Sequence, residues 1–368
     1  MGTKKILIFN TAQVVDLIGG SQASLEDAIL NFLDNNIEVI YISYKYNPII
    51  NYNGPNFKRF FIHRFRNKPF KSILDILLIL SFTLFRKFDY VWANSALPCF
   101  IFMPFIISKN KIYTFHGPII EEQNYSNKSL IKISLTKYLY QLFLNCFDKL
   151  HYNTKYVKNA VEKEYVFVKN YQQIISEILV DDISFKNKFI NINNLNLYPN
   201  KLKVLIPRRL VKRTGVINFI NLINNLPDSI LNKFIFLISG DGPEKNTILD
   251  SIKNNDNIIY LGLLTEEQLN VILFNIDVVC IPSIAAEGFC LPARQGMILN
   301  KFILHTGQGG LLETTDKYYK SLIFNYTNLE SLNLQLNNIL EFKNKHSENY
   351  VFDSYEFKLK KLFKNLYV

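Results

Sequence analysis

The stretch from Val279 to Glu313, VCIPSIAAEGFCLPARQGMILNKFILHTGQGGLLE, limits what this chain can fold into more than any other. The apolar run Ile276 to Ile281 reads as a buried strand, which Pro282 and Ser283 end. An acidic Glu-Gly-Phe loop follows at Glu287 to Phe289, then a helix over Pro292 to Leu299, a strand over Phe302 to His305 and a glycine turn over Gly307 to Gly310. That order places an acidic loop and a helix N-terminus at the carboxyl edge of a parallel sheet, where α/β proteins bind phosphorylated ligands.

The same alternation runs through the whole chain. Lys5 to Phe9, Glu38 to Ser43, Tyr90 to Trp92, Ile112 to Phe115 and Lys149 to Tyr152 read as strands. Helical patterns fall between them at Ser21 to Asp34, Leu74 to Phe85, Leu97 to Ile107 and Leu130 to Asn145. After a polar stretch, Asn191 to Lys201 with Pro199, the scheme starts again with strands at Lys203 to Pro207, Phe234 to Ser239, Asn257 to Leu261 and Asp277 to Ile281. Helices follow at Val216 to Asn225, Pro243 to Lys253 and Thr265 to Phe274, the last capped by Thr265. This alternation predicts two doubly wound, Rossmann-like α/β domains, over 1–195 and 196–349, facing across a ligand cleft. A basic amphipathic helix at 350–368 is expected to pack back on the first.

At 368 residues, 48% apolar and 20% charged, the chain has the length and composition for two packed cores and is not a disordered polyelectrolyte. Its net charge is +11, and most of the excess lies in the first half, which suits an anionic partner. Lys58 to Lys71, KRFFIHRFRNKPFK, interleaves basic residues with phenylalanines and leads into an apolar helix. Nucleic acid or an anionic membrane surface fits such a segment. Cys99, Cys146, Cys280 and Cys290 have no metal-type spacing and read as buried thiols in a reducing cytoplasm. Met1 to Phe9 reads as a strand rather than a leader, and the run Ile73 to Phe85 is too short to span a bilayer. Asp181 and Asp182 read as a solvated pair rather than a metal site.

Several short motifs carry chemistry. RRLVKRTGV gathers Arg208, Arg209, Lys212 and Arg213 between a strand and a helix, where guanidinium groups can clamp a diphosphate. In GDGPEK, Gly240 and Gly242 permit a tight turn, but Lys245 stands where a dinucleotide fingerprint has its third glycine. Gly262 ends a strand with backbone amides exposed to hydrogen-bond a base edge.

With GGSQASL (Gly19 to Leu25), TFHGP (Thr114 to Pro118), PS…EGFCLPARQGM (Pro282 to Met297) and GGLLE (Gly309 to Glu313) added, the chain resembles the retaining nucleotide-sugar glycosyltransferases of the GT-B fold, family 4. The resemblance implies that Arg209 binds the donor diphosphate and that Glu287 and His116 lie at the donor sugar. By the same resemblance Gly20 approaches the phosphate or acceptor; Glu121 and Glu122, from their place just after TFHGP, are expected to reach the acceptor. Donor contacts are implied for Arg208, Lys212, Arg213, Gly240, Gly262, Phe289, Cys290, Leu291, Gln295, Gly309 and Gly310. Two positions depart from the family. Gln295 replaces the second glutamate of the Glu-x7-Glu motif, and Thr214 replaces a lysine whose charge falls to Lys212 or Arg213.

The implied reaction is sugar transfer from a nucleotide sugar, UDP-linked by family frequency, to a glycan, lipid-linked or small-molecule hydroxyl in surface polysaccharide or lipid-linked glycan assembly. It needs no metal and no cofactor beyond the donor, and no nucleic acid partner is expected. The expected location is cytoplasmic, with peripheral contact to the inner face of the cell membrane. A nucleotide-sugar 2-epimerase of the same fold and an inactive nucleotide-binding relative are the alternatives.

Overall fold

The computed structural model describes residues 4–10, 20–44, 54–63, 68–84, 86–94, 102–108, 110–117, 130–165, 168, 171–175 and 198–345. They fall into two compact units, divided between Val180 and Asp181. The expected terminal helix, Glu121, Glu122 and the Asp181–Asp182 pair lie outside the described residues.

The N-terminal unit is a parallel seven-stranded sheet. Its strands are β1 (Lys5–Asn10), β2 (Glu38–Tyr44), β3 (Phe57–Ile62), β4 (Tyr90–Ala93), β5 (Lys111–Phe115), β6 (Lys149–Tyr152) and β7 (Gln172–Ile175), in the order β3-β2-β1-β4-β5-β6-β7. Its helices are α1 (Gly20–Asp34), α2 (Pro69–Thr83), α3 (Leu130–Leu144) and α4 (Lys155–Glu164). β1 is apolar at successive positions because both its faces are covered. Ile6 and Ile8 join the core under α1, while Leu7 and Phe9 join the opposite core with Ile79 of α2 and Phe143 of α3.

The C-terminal unit repeats the plan with six parallel strands. Strand β8 (Leu202–Pro207) leads to α5 (Val216–Ile223) and α6 (Asp228–Leu231), and β9 (Phe234–Ser239) to α7 (Lys245–Ile252). β10 (Ile258–Gly262) leads to α8 (Glu266–Asn275), β11 (Val278–Ile281) to α9 (Leu291–Ile298), and β12 (Phe302–His305) to α10 (Leu311–Thr314). β13 (Ser321–Ile323) and α11 (Leu329–Lys345) complete it, with strand order β10-β9-β8-β11-β12-β13. Thr265 caps α8 in a full capping box with Gln268. The order reverses between β8 and β11, so the loops after these two strands flank the topological switch point.

The doubly wound class expected from the sequence is what the two sheets show. Local differences have physical reasons. Of the helix expected over Leu97 to Ile107, the described residues begin at Phe102, which is helical; a 3₁₀ turn follows at Met103–Phe105, Ile106 is extended and Ile107 bridges to Lys87. The basic segment after Lys58 contains β3, whose apolar alternation is hidden by the charges of Lys58 and Arg59. Strands β7 and β13 and helices α4 and α11 also went unpredicted. The two strands are short edge strands, whereas α4 and α11 are amphipathic, with Val157 and Val161, and Leu332, Leu336 and Ile339, buried at helical spacing.

Two glycines fix how the loops at the carboxyl edge meet. Gly215 has φ 68°, and a Cβ there would lie 2.0 Å from the Pro282 carbonyl oxygen. Gly240 has φ 141°, and its Cβ would lie 2.0 Å from the Arg208 carbonyl oxygen. Gly215→Ala therefore drives the loop after β8 off the loop after β11. It should cost on the order of 2–4 kcal/mol from left-handed strain and overpacking together. Thermal melting checks this, and an unchanged midpoint would refute the packing argument.

Candidate functional site

The carboxyl edge of the C-terminal sheet is built from four loops stitched together by backbone hydrogen bonds. The Arg208 amide donates to the Ser239 carbonyl at 2.9 Å and the Leu210 amide to the Asp241 carbonyl at 2.9 Å, joining the loops after β8 and β9. The Gly240 amide donates to the Gly262 carbonyl at 2.9 Å, which adds the end of β10. The amides of Ile284 and Ala285 both donate to the Arg213 carbonyl, at 3.0 and 3.2 Å, tying in the loop after β11. Finally Gly310 donates to the Glu287 carbonyl at 2.7 Å, and Glu287 forms a parallel bridge with Gly309. The Gly-x-Gly of GDGPEK thus serves close loop packing rather than dinucleotide binding.

At the centre is an ion pair. Arg208 donates from Nη2 to Glu287 and, at 3.0 Å, to Ser283 Oγ. Ser283 Oγ in turn donates to Glu287 Oε1 at 2.5 Å, and Arg213 Nη1 lies 3.8 Å from the same oxygen. The side chains of Arg208 and Glu287 are each 9% exposed. Burial pushes the Glu287 carboxyl up, but Arg208, Arg213 and the hydrogen bonds from Ser283 and Arg208 outweigh it. The carboxyl is held below its ordinary range and ionised at neutral pH. Arg208 Nη1 approaches Cys290 Sγ at 3.8 Å, yet burial pushes that thiol up to about 11, so it stays protonated. The Nε of Arg208 is buried and has no acceptor among the described residues.

The remaining residues read from the sequence fall around this pair. Arg209 and Lys212 are exposed on the same loop. Thr214 is buried, and its hydroxyl donates to the carbonyls of Arg209 and Val211 at 2.7 Å each. It folds the loop on itself, so of the two cations considered for the missing lysine, Arg213 is the one beside Glu287. Phe289 is half-buried, and Cys290 and Leu291 are buried at the start of α9, which carries half-buried Gln295 one turn on.

His305 supports the glycine turn. Its Nδ1 accepts from the Gly307 amide at 3.1 Å, so the ring hydrogen sits on Nε2, facing Ser321 Oγ at 2.8 Å. Sequence reasoning missed Ser283 and His305 as supports, although both stand where an apolar strand ends.

The N-terminal unit has its own polar edge. His116, after β5, directs Nε2 at the Asn94 carbonyl at 3.0 Å and at Asn94 Oδ1 at 2.8 Å, while Asn153 Nδ2 donates to Nδ1 at 3.4 Å. A carbonyl only accepts, so Nε2 carries the hydrogen and Nδ1 is the acceptor. Burial lowers its pKa to about 4 against the raising effect of the Asn94 backbone bond, leaving a neutral ring at pH 7. Gly20 opens α1 in the same unit. Asn94 and Asn153 were not singled out from the sequence, yet a signal was there: three strands of this sheet run straight into asparagine, as ILIFN, YVWAN and LHYN.

Residues 187–352 match the family described as Glycosyl transferases group 1. The chain is also 22% identical over 322 residues to an uncharacterized glycosyltransferase of Methanocaldococcus jannaschii, covering 82% of this chain and 81% of that protein. Sucrose-phosphate synthase from Thermosynechococcus elongatus aligns over 92% of this chain and 90% of its own, with TM-score 0.72 and 15% identity. Anabaena HepE in complex with UDP and glucose aligns over 93% and 91%, with TM-score 0.64 and 15% identity. The structural likenesses carry the GT-B fold.

The C-terminal unit should weaken in mild acid. Burial lowers the His305 pKa from 6.5 to about 4. Between these values the unfolded chain binds a proton that the folded domain does not, so stability is full above about 6.5 and falls as pH drops toward about 4. The loss from this one residue reaches up to roughly 3 kcal/mol. Urea midpoints should decline from about pH 7 to about pH 5, and the His305→Asn variant should show a flatter profile. Equal slopes in the two proteins would contradict the assignment.

Proposed function

We propose that the chain is a retaining, family 4-type glycosyltransferase that moves a sugar from a UDP-sugar to a hydroxyl acceptor in surface polysaccharide or lipid-linked glycan assembly. The observation that carries this reading is the set of cations at the switch point of the C-terminal sheet. Glu287 neutralises Arg208, while exposed Arg209 and Lys212 remain on the same loop with Arg213 alongside. Cleaving the bond between an anomeric carbon and a diphosphate builds negative charge on the departing phosphate, and preorganised cations stabilise that charge as it forms. Arg209 and Arg213 supply it in this reading, with the first-turn amides of α9 as further donors. The orphaned Arg208 Nε costs about 1–3 kcal/mol when unsatisfied, and an oxygen of the donor would relieve it.

In this mechanism no side chain is required as general base. The departing phosphate takes the acceptor proton on the face it leaves, which gives retention. His116 fits that economy, because both ring nitrogens are already engaged by Asn94 and Asn153 and the ring is neutral. To hold a sugar hydroxyl the ring would exchange its longer bond, that from Asn153 to Nδ1 at 3.4 Å, for one from the sugar. Gln295 offers the ribose an amide oxygen in place of a carboxylate, which lowers nucleotide affinity by about 1–2 kcal/mol relative to a charged acceptor. The cations do the work a divalent metal would do, so activity in EDTA should match activity without it.

Thermal stabilisation by a panel of nucleotide sugars tests the donor class. UDP-sugars should raise the melting temperature in a concentration-dependent way. Arg209→Ala should weaken donor binding by roughly tenfold or more, a lost charge-assisted pair of about 1.5–3 kcal/mol, without moving the melting temperature of the free protein. Absence of stabilisation by every nucleotide sugar would contradict the reading. Conversion of a UDP-sugar to its epimer without acceptor would replace it with the isomerase alternative.

A further inference from the structure

Helix α2 packs Ile76, Ile79, Leu80 and Phe82 on the core and leaves a second apolar face turned away from the protein. Phe70, Ile73, Leu74, Leu77 and Leu78 are 84%, 46%, 62%, 57% and 59% exposed. Their i, i+3, i+4, i+7, i+8 spacing lays them along one stripe of the helix. The side facing the sheet also holds buried Ser72 and Thr83, whose hydroxyls are both spent on backbone carbonyls, those of His63 and Ile79. Helix α3 repeats the pattern with Leu135, Tyr138, Leu139 and Leu142 exposed at i, i+3, i+4, i+7. Both helices anchor in one core on one face of the sheet, through Ile79 and through Phe143 and Leu144. The 3₁₀ segment that joins this core between them in sequence leaves Phe105 and Ile107 exposed too. Water-facing apolar surface on this scale marks a docking site.

Charge identifies the partner. Residues 68–88 contain Lys68, Lys71, Arg86 and Lys87 against one acid, Asp75. Asp75 is occupied, accepting from the His63 amide at 2.8 Å and lying 2.7 Å from its Nδ1. Lys68 precedes the first turn of α2, and Arg86 and Lys87 follow its last, all three exposed, so the apolar stripe is cationic at both ends. Among the described residues no helix is long and apolar enough to cross a membrane. An apolar stripe flanked by lysine and arginine suits the plane between headgroups and acyl chains, with the cations at anionic headgroups.

We propose that α2, with α3 on the same face of the sheet, docks this chain onto the surface of an anionic lipid bilayer, the stripe from Phe70 to Leu78 inserted at the headgroup–acyl boundary. This goes beyond the donor chemistry and does not depend on it. Flotation of the full chain with vesicles tests it, comparing phosphatidylcholine alone with phosphatidylcholine containing phosphatidylglycerol. The chain should float with the anionic vesicles, and raised salt should weaken but not abolish binding. The double variant Leu74→Asp with Leu77→Asp should lose at least about tenfold in bound fraction. Because both side chains are exposed, its melting temperature and its UDP-sugar stabilisation should match the parent. Failure of the parent to float at low salt, or undiminished flotation of the double variant, would overturn the proposal. So would a parent that sediments as a dimer without floating and that the double variant turns into a monomer, since a second copy would then be the occupant.

Discussion

The buried pair between Arg208 and Glu287 is the interaction on which the carboxyl edge of the C-terminal domain depends. Taking two charges out of water costs several kcal/mol per ion, and their attraction offsets this only when further hydrogen bonds satisfy both groups. Here Ser283 bonds to both members and Arg213 stands beside the carboxylate. The pair also joins the two strands of the switch point, since Arg208 follows β8 and Glu287 follows β11. Because Glu287 also bridges to Gly309, the same carboxylate residue orients the glycine turn. A buried pair of this kind adds little net stability; it sets the geometry of the loops and leaves the neighbouring cations unneutralised.

The two units present different chemistry at their sheet edges. The C-terminal edge carries a surplus of positive charge, fit for phosphates. The N-terminal edge is neutral and rich in amides, with His116 fixed in one tautomer by Asn94 and Asn153. Amides and a neutral imidazole recognise hydroxyls without attracting phosphate.

Much of this was legible in the sequence because it depends on local rules. Short, β-branched apolar runs bounded by turn residues, such as Phe234–Ser239, fully buried in the structure, read as two-sided strands of a parallel sheet. Thr265 ahead of two glutamates announced a helix start. The clustering of Arg208, Arg213, Glu287 and Gly309 followed from placing each at a strand end, since parallel strands bring such ends together. What was not legible is pairwise. Nothing in RRLVKRTGV says that Arg208 rather than Arg209 turns inward, because that depends on Ser283 and Glu287, more than seventy residues away. Nor does a sequence show that α2 faces its leucines outward. Ile73 to Phe85 is apolar nearly all round, so its pattern does not tell inside from outside, and the buried hydroxyls of Ser72 and Thr83 are what decide it.

The central claim is that Arg208 and Glu287 act as one buried unit, and a double-mutant cycle in urea measures it most directly. Arg208→Met and Glu287→Gln should each cost about 3–5 kcal/mol, because each strands a charge in the interior. The combined variant should lose less than the sum by at least about 1 kcal/mol. Single variants within about 0.5 kcal/mol of the parent, or losses that simply add, would contradict the account.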